Sequence, residues 1–470
     1  MRRFFVTLCV LMFTSLCVWP QGKTVTGSAP EDTPLQGFQM NVIFGSDLLA
    51  DPSDSSSLAS WAKIGVQPSY AFDRFSCSLD LAVRFIVDAN SDIPFSFYSA
   101  DWVPSEDRTF LDVYLPKILY LGYGSRGKDS FFFSAGRIDD LTLGDGLIVS
   151  DYGNTDFLPK QGITGLRLGL DGSLAGFPYV GLEAMTGNLA RVDVLAGRVY
   201  VRPLAFLGSS VTKDSQIGAT VAIDRSPLRW LDDDSLSAYP SEEPIVFYGI
   251  DLHVPVMKSD PFTVSVSGDW ALEPNGAQGI AFGLETKIVR FVNFGAQTRY
   301  FQEGFIPSYF DSVYDFYRAE RFAYMMNSEP GQFVSGWASH IGFSFVKDLI
   351  AIDLAADGRF AAIPGEATDN SGCYPHLKGS VVLLDGLLDG FSLNFAYEKF
   401  FIGRDGKWAW DVSDLQEARL GFGASYKREG LNLYISWVYG WDPLEDSLNT
   451  CAGISVTIRL TDQAGLIMAK

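Results

Sequence analysis

Histidine, cysteine and basic residues are scarce in this 470-residue chain, and each scarcity removes a class of function. There are three His (His253, His340 and His376), and no H-E-x-x-H, G-x-S-x-G or zinc-type Cys spacing. An enzyme with a local catalytic motif is therefore not expected, and neither is a metal or other cofactor. Of five Cys, Cys9 and Cys17 fall within the first 18 residues, leaving Cys77, Cys373 and Cys451. An odd number in an exported chain is not a disulfide framework. A Cys373–Cys451 bridge between two loops stays open. Lys and Arg number 36 against 56 Asp and Glu, a net charge of −20. Phosphate backbones need clustered cations, so nucleic acid is not an expected partner.

After the first 18 residues, no stretch approaches the ~18 consecutive apolar residues of a membrane-spanning helix. The N-terminus itself carries Arg2-Arg3, an apolar run over 4–18 and the breaker Trp19-Pro20. This pattern predicts a secretory signal over 1–22, cut near Gly22. Lipid attachment at Cys17 is the weaker alternative, because Leu16 is a poor residue before a lipidated Cys. A short periplasmic segment is expected over 23–35, and one domain over 36–470.

What the chain has in quantity is alternation. Leu431, Leu433, Ile435, Trp437 and Tyr439 share one face, with Asn432, Tyr434, Ser436, Val438 and Gly440 on the other. Leu420, Phe422, Ala424 and Tyr426 oppose Arg419, Gly421, Gly423, Ser425 and Lys427. The same holds over 79–87, 279–288, 391–398 and 454–460. Period two marks β-strands. The second face is informative: it mixes Gly, Ser, Ala and Asn with sparse charge, where a soluble sandwich would present a densely charged surface. Large apolar residues outside and small polar ones inside suit a barrel in lipid.

In the C-terminal half, connections alternate in length. Tight turns at 258–261, 347–348, 385–390 and 427–430 are interleaved with long links at 226–244, 302–335, 361–375, 402–417 and 441–450. Short periplasmic turns and long external loops produce this rhythm. The expected fold is all-β: a transmembrane antiparallel up-and-down β-barrel of about 16–20 strands, with both termini in the periplasm.

On these features the chain resembles porin-like outer-membrane barrels of diderm bacteria, particularly uncharacterised spirochaetal ones. The resemblance is one of architecture over most of the mature chain. It implies an outer-membrane location, contact with membrane lipid, handling by the barrel-assembly machinery, and passage of small solutes. One departure is the tail Thr461–Lys470, which runs past the last strand instead of ending on an aromatic residue.

Alternation places Asp80, Arg84, Arg167, Arg198, Arg202, Asp251, Glu285, Lys287, Arg299, Glu398, Arg419 and Arg459 inside, as candidate pore-lining charges. Arg198 and Arg202, with Tyr200 between them, form the most basic strip. His253 and His340 face the same way, and Cys77 faces lipid. Two segments are candidate constriction or lid elements. One is the glycine-rich run 136–146, with Arg137, Asp139 and Asp140; lacking a following Lys-Ser, it is no phosphate loop, and a strand end plus tight turn is the preferred reading. The other is 308–327, where Tyr314, Tyr317, Arg318 and Arg321 lie at helical spacing and Pro307-Ser308 would start the helix. Packing on the rim is preferred there over a plug. The expected function is a passive small-solute channel, with a surface receptor or adhesin, or a channel for hydrophobic substrates, as alternatives.

Overall fold

The computed structural model describes residues 37–50, 58–87, 95–207, 209, 212–231, 233–259, 261–289, 291–346, 348–360, 375–403, 413–442 and 447–459. The predicted signal and periplasmic segments, Cys373 and the C-terminal tail lie outside these residues, as does the side chain of Cys451.

Every alternating segment becomes a strand. The first are β1 (Gly37–Ala50) and β2 (Leu58–Phe72), then β3 (Phe75–Leu79) and β4 (Leu81–Val87), two halves of one strand interrupted at Asp80. The next strand is also in two pieces, β5 (Phe95–Phe97) and β6 (Ile118–Tyr123), followed by β7 (Phe131–Gly136). β8 (Leu141–Leu143) and β9 (Val149–Tyr152) leave the wall and pair with each other. The wall continues with β10 (Gly165–Asp171), β11 (Val180–Thr186), β12 (Val194–Val201), β13 (Gln216–Asp224), β14 (Ile245–Lys258), β15 (Phe262–Leu272), β16 (Gln278–Ile288) and β17 (Val292–Gln302). It ends with β18 (Phe333–Phe345), β19 (Ile350–Arg359), β20 (His376–Leu388), β21 (Phe391–Phe400), β22 (Ala418–Arg428), β23 (Leu431–Asp442) and β24 (Ser447–Arg459). β24 pairs back onto β1, Arg459 opposite Asn41, and closes the ring. With the split strands counted once, the wall is a closed antiparallel barrel of 20 strands, within the expected range.

Closure satisfies the backbone between strands, which is what allows the outside to be apolar. On β14, Tyr248, Ile250 and Leu252 are exposed while Gly249 and Asp251 are buried. On β13, Ile217 and Val221 point out while Thr220 and Ala222 point in. Cys77 is a free thiol on the outward face, paired across the strands with exposed Tyr70.

One end of the barrel has mostly tight turns. Glu429 and Gly430 both have positive φ (41° and 85°), the two-residue hairpin geometry that matches strand twist. The other end carries the long connections. Two expectations are corrected there. The link at 441–450 is shorter than expected, because Asp442 pairs with Ser447 and β24 begins at once. The helix expected from Ser308 starts later: α3 spans Tyr314–Asn327, after α1 (Phe110–Tyr114) and α2 (Asp233–Leu236). Ser308 has φ 55°, and residues 308–310 are held by backbone bonds to 147–150, so they are not free to coil.

Candidate functional site

The barrel is not empty. Segment 137–164, between β7 and β10, folds inward and carries the β8–β9 hairpin into the lumen. Its apolar residues Leu141, Leu143, Leu147, Ile148 and Val149 are buried together with inward-facing wall residues Met185, Val194, Ala222, Ile245 and Phe247. A water-filled lumen would be polar at those wall positions, so the plug explains why they are not. The hairpin's other side is wet, with Asp140 and Asp151 exposed and Thr142 and Ser150 half-buried. The element is therefore amphipathic: one side is packed onto β11–β17, the other faces the remaining bore. The reversal uses Gly144 and Gly146 at φ 62° and 93°. A Cβ at Gly144 would also lie 3.0 Å from an Asp251 carboxylate oxygen. The run expected to be a strand end and turn is thus the tip of an inserted hairpin.

The second insertion is the loop 303–332. Val149 and Phe310 form a parallel bridge: Phe310 N–H donates to the Ile148 carbonyl and Ser150 N–H to the Phe310 carbonyl, both at 3.0 Å. The Ser308 hydroxyl donates to the Gly146 carbonyl at 2.9 Å. α3 then packs Ala319, Phe322 and Met325 into the same core. It is buried at the loop-end mouth of the barrel, where Arg318 meets Asp224, the last residue of β13, and Tyr317 packs on Phe400, the last residue of β21.

Ions anchor this helix. Arg318, fully buried, donates to Asp224 (Nε, 2.6 Å) and to Asp193 (3.2 Å). Asp315 is 3.6 Å from the same guanidinium and accepts from the Trp230 indole at 3.2 Å. Three carboxylates thus share Arg318, helped by Arg229 at 3.6 Å from Asp193. Burial pushes the Asp315 carboxyl up to about 6, against the pull of Arg318. Arg321 donates to Asp311 at 2.6 Å and to the Tyr309 carbonyl. Across the lumen, Ser312 donates to Glu398 at 2.7 Å, and Arg419 pairs with Asp156 at 3.0 Å. Burial raises the Asp156 carboxyl to about 7, Arg419 opposing it. Asp139, at the hairpin root, is raised by burial to about 6.

The hairpin tip reaches the middle of β14. Asp145 sits 2.9 Å from His253 Nδ1, and its carbonyl accepts from Gln297 at 3.3 Å. Beside it, Arg198 forms a two-pronged pair with Asp251, and Asp251 stands directly opposite Asp269. Arg299 donates to Gln297 and lies 3.5 Å from Asp357.

The twelve candidate pore charges do not form one ring. Arg84, Arg198, Asp251, Arg299, Glu398 and Arg419 are buried. Arg84 is bound by Asp101 at 2.7 Å, and Asp80 accepts from Gln67 at 3.4 Å. Arg202 pairs with Asp171 at 2.6 Å, and Arg198 and Arg202 both lie 5.0 Å from the Tyr200 ring, so the basic strip is neutralised and stacked. Arg167, 3.7 Å from Asp140, and Glu285, 3.3 Å from His340, are half-exposed, and Lys287 and Arg459 are exposed. Of the lid candidates, Tyr314, Tyr317, Arg318 and Arg321 are buried anchors, while Arg137, Asp139 and Asp140 stand at the hairpin root.

Sequence reasoning missed Asp145, Asp151 and Lys378. Lys378 on β20 faces Asp151 of the hairpin across 3.4 Å, and both are partly exposed. The available signal was the apolar inward set on β12–β14, which a water-filled barrel has no use for. His376 Nε2 donates to Glu398 at 3.0 Å, and the ring stacks on Phe400.

No family model matches the chain, and no curated protein matches it. Solved structures do resemble it. Wzi of Escherichia coli, described as an outer-membrane, carbohydrate-binding β-barrel involved in Group 1 capsule assembly, shares 10% identity at a TM-score of 0.34, over 89% of this chain and 84% of Wzi. OccK5 (OpdH) of Pseudomonas aeruginosa gives 8% and 0.35, over 90% and 98%. OpdL of the same organism gives 8% and 0.32, also over 90% and 98%. The barrel assignment rests on the closed strand pairing and the apolar exterior, not on these likenesses.

Proposed function

We propose that this protein is a porin-like channel of a bacterial outer membrane, carrying small polar solutes down their gradient through a bore narrowed by two inserted loops. The observation that carries the proposal is the amphipathic hairpin 141–152. Its apolar side is fixed to β11–β17, and Thr142, Ser150 and Asp151 form its polar side, with Asp151 3.4 Å from Lys378 of the opposite wall. That wall is lined by small inward residues, such as Gly421, Gly423 and Ser425 on β22 and Gly453 and Ser455 on β24. A plug built only to seal would have no reason to keep one side polar. Lys378, Arg167, Glu285 and Lys287 supply charges along the route, and selectivity follows from bore and charge. In this reading residues 1–22 are a signal peptide, the long loops face outward, the barrel-assembly machinery inserts the chain, and its kin are spirochaetal barrels.

Single-channel recording of the refolded mature chain in planar bilayers tests this. Stepwise currents that grow when 139–151 is replaced by a short Gly-Ser link are expected. Silence from both the folded parent and the hairpin deletion would refute the channel and favour a surface receptor or adhesin.

A further inference from the structure

The wall is uneven. β6 and β7 have 6 residues, β10 and β11 have 7, and β12 has 8. A tilted strand needs about 9–11 residues to cross the hydrocarbon layer. This sector therefore falls short by up to five residues, roughly 16 Å of strand at ~3.3 Å each. The turn end is flush, since Phe75 pairs with Tyr123 and Phe131 with Leu170. The shortfall lies at the loop end.

A strap of chain, 98–117, occupies it. β6 follows β3 only as far as the pair Leu79–Ile118, and β5 rejoins β4 at Phe85–Val87. Between these points no strand among the described residues pairs with the free edge of β4. Three single bonds replace it: Asp80 N–H donates to the Lys117 carbonyl at 2.8 Å, Trp102 Nε1 to the Ala82 carbonyl at 2.9 Å and Tyr98 N–H to the Arg84 carbonyl at 3.0 Å. The near end is clasped by Arg84 on Asp101. The far end is clasped by Arg191, from the β11–β12 link, whose Nε donates to Asp112 at 2.8 Å and whose Nη2 donates to the Asp107 carbonyl at 2.6 Å. The outer side presents Val103, Phe110 and Leu111, each exposed, in continuity with the apolar belt of the barrel. On the inner side Pro116 closes on the inserted loop, so that a Cβ at Gly162 would lie 3.1 Å from it. Cations line the strap, and Arg108 keeps a buried Nε with no acceptor among the described residues.

A wall segment held by side-chain clasps instead of a ladder opens at far lower cost than a strand. We infer that the 98–117 strap is a lateral gate, through which an anionic single-chain amphiphile passes between the loop-end leaflet and the lumen. Its chain slides past Val103, Phe110 and Leu111, and its headgroup is received by Arg108. This route is separate from the axial bore, so the two readings fail independently.

The test uses the mature protein in phosphatidylcholine vesicles with a diazirine-bearing palmitate, and maps photolabel by mass spectrometry. In a background with Cys77, Cys373 and Cys451 all changed to Ser, Asp112→Cys and Arg191→Cys are joined by a short bis-thiosulfonate reagent. Label on the lumen side, at 157–163, is expected in the parent, lost on bridging and regained on reduction, with axial conductance unchanged throughout. Arg191→Ala is expected to raise lumen-side label severalfold. Label confined to the outer belt in every variant, or lumen label indifferent to bridging, would overturn the gate.

Discussion

Replacing Arg318 by Met removes the one cation shared by Asp193, Asp224 and Asp315, and does so at a fully buried position. Met keeps much of the side-chain volume, so the change is mainly electrostatic. Arg229 remains nearby, 3.6 Å from Asp193. Breaking a buried pair by deleting one partner costs ~3–5 kcal/mol, because a desolvated charge is left behind. That cost falls on docking of the 303–332 loop and not on the wall, whose strand ladders do not pass through Arg318. At ~1.4 kcal/mol per decade, the undocked population should rise by roughly two to three and a half decades. Chymotrypsin reports this directly, since Tyr309, Phe310, Phe316 and Phe322 are all buried while the loop is docked. Where opening is fast relative to cutting, the cleavage rate tracks the open population. The expected outcome is cleavage within 309–325 faster by about two decades or more, with the folded barrel retained on unheated gels and larger, noisier channel steps. Adding Asp224→Asn should recover part of the loss, because it removes one of the stranded carboxylates. Cleavage of Arg318→Met at the parental rate would refute the claim that this node holds the plug.

Acidity should tighten the same plug. Asp315 and Asp156, raised to about 6 and about 7 by burial, bind protons in the docked state that they release when exposed. The docked state then holds more protons between the ordinary carboxylate range and pH 7, so docking is strongest at low pH and weakens as pH rises through that window; channel noise that is flat from pH 5 to 8, or greatest at pH 5, contradicts this. Lys378→Glu places a second acid beside Asp151 at the partly exposed crossing between hairpin and wall, and reversal potentials should move towards cation preference. Gly218→Ala puts a Cβ 2.3 Å from an Asp251 oxygen and 2.6 Å from Arg198 Nε; overpacking of this kind costs about 1–3 kcal/mol, measurable as a lower temperature of barrel unfolding on gels.

Most of the wall was legible because strand pairing repeats one physical rule along the chain. Each outward position meets lipid and each inward one meets the lumen, so a single period marks Tyr248-Ile250-Leu252 and Leu431-Leu433-Ile435 alike. Turn chemistry such as Glu429-Gly430 is equally local. The inserted elements obey a different rule. Leu141-Thr142-Leu143 alternates like any wall strand, and only its partners show that its apolar side meets Val194, Ala222 and Phe247 and not lipid. Ser308-Tyr309-Phe310 carries helical spacing, yet bonds to 147–150 claim its backbone first. Periodicity reports how a segment alternates, and not what it alternates against.

The charges show the same limit from the inside. Alternation assigns Arg198 and Glu285 to one face, but the first is buried in a two-pronged pair with Asp251 while the second remains half-exposed beside His340. The difference is depth relative to the plug, which depends on where segments 137–164 and 303–332 come to rest. The plug in turn depends on the wall, since apolar inward residues on β12–β14 and the acids Asp193 and Asp224 exist to receive it. Sparse charge on an inward face is therefore two populations: structural ions that fix the insertions, and a smaller set around Asp151, Lys378, Arg167 and Glu285 that a solute would meet in the proposed channel. Variants of the first set should alter gating and stability together, and variants of the second should alter selectivity alone, a separation visible in paired measurements of reversal potential and unfolding temperature.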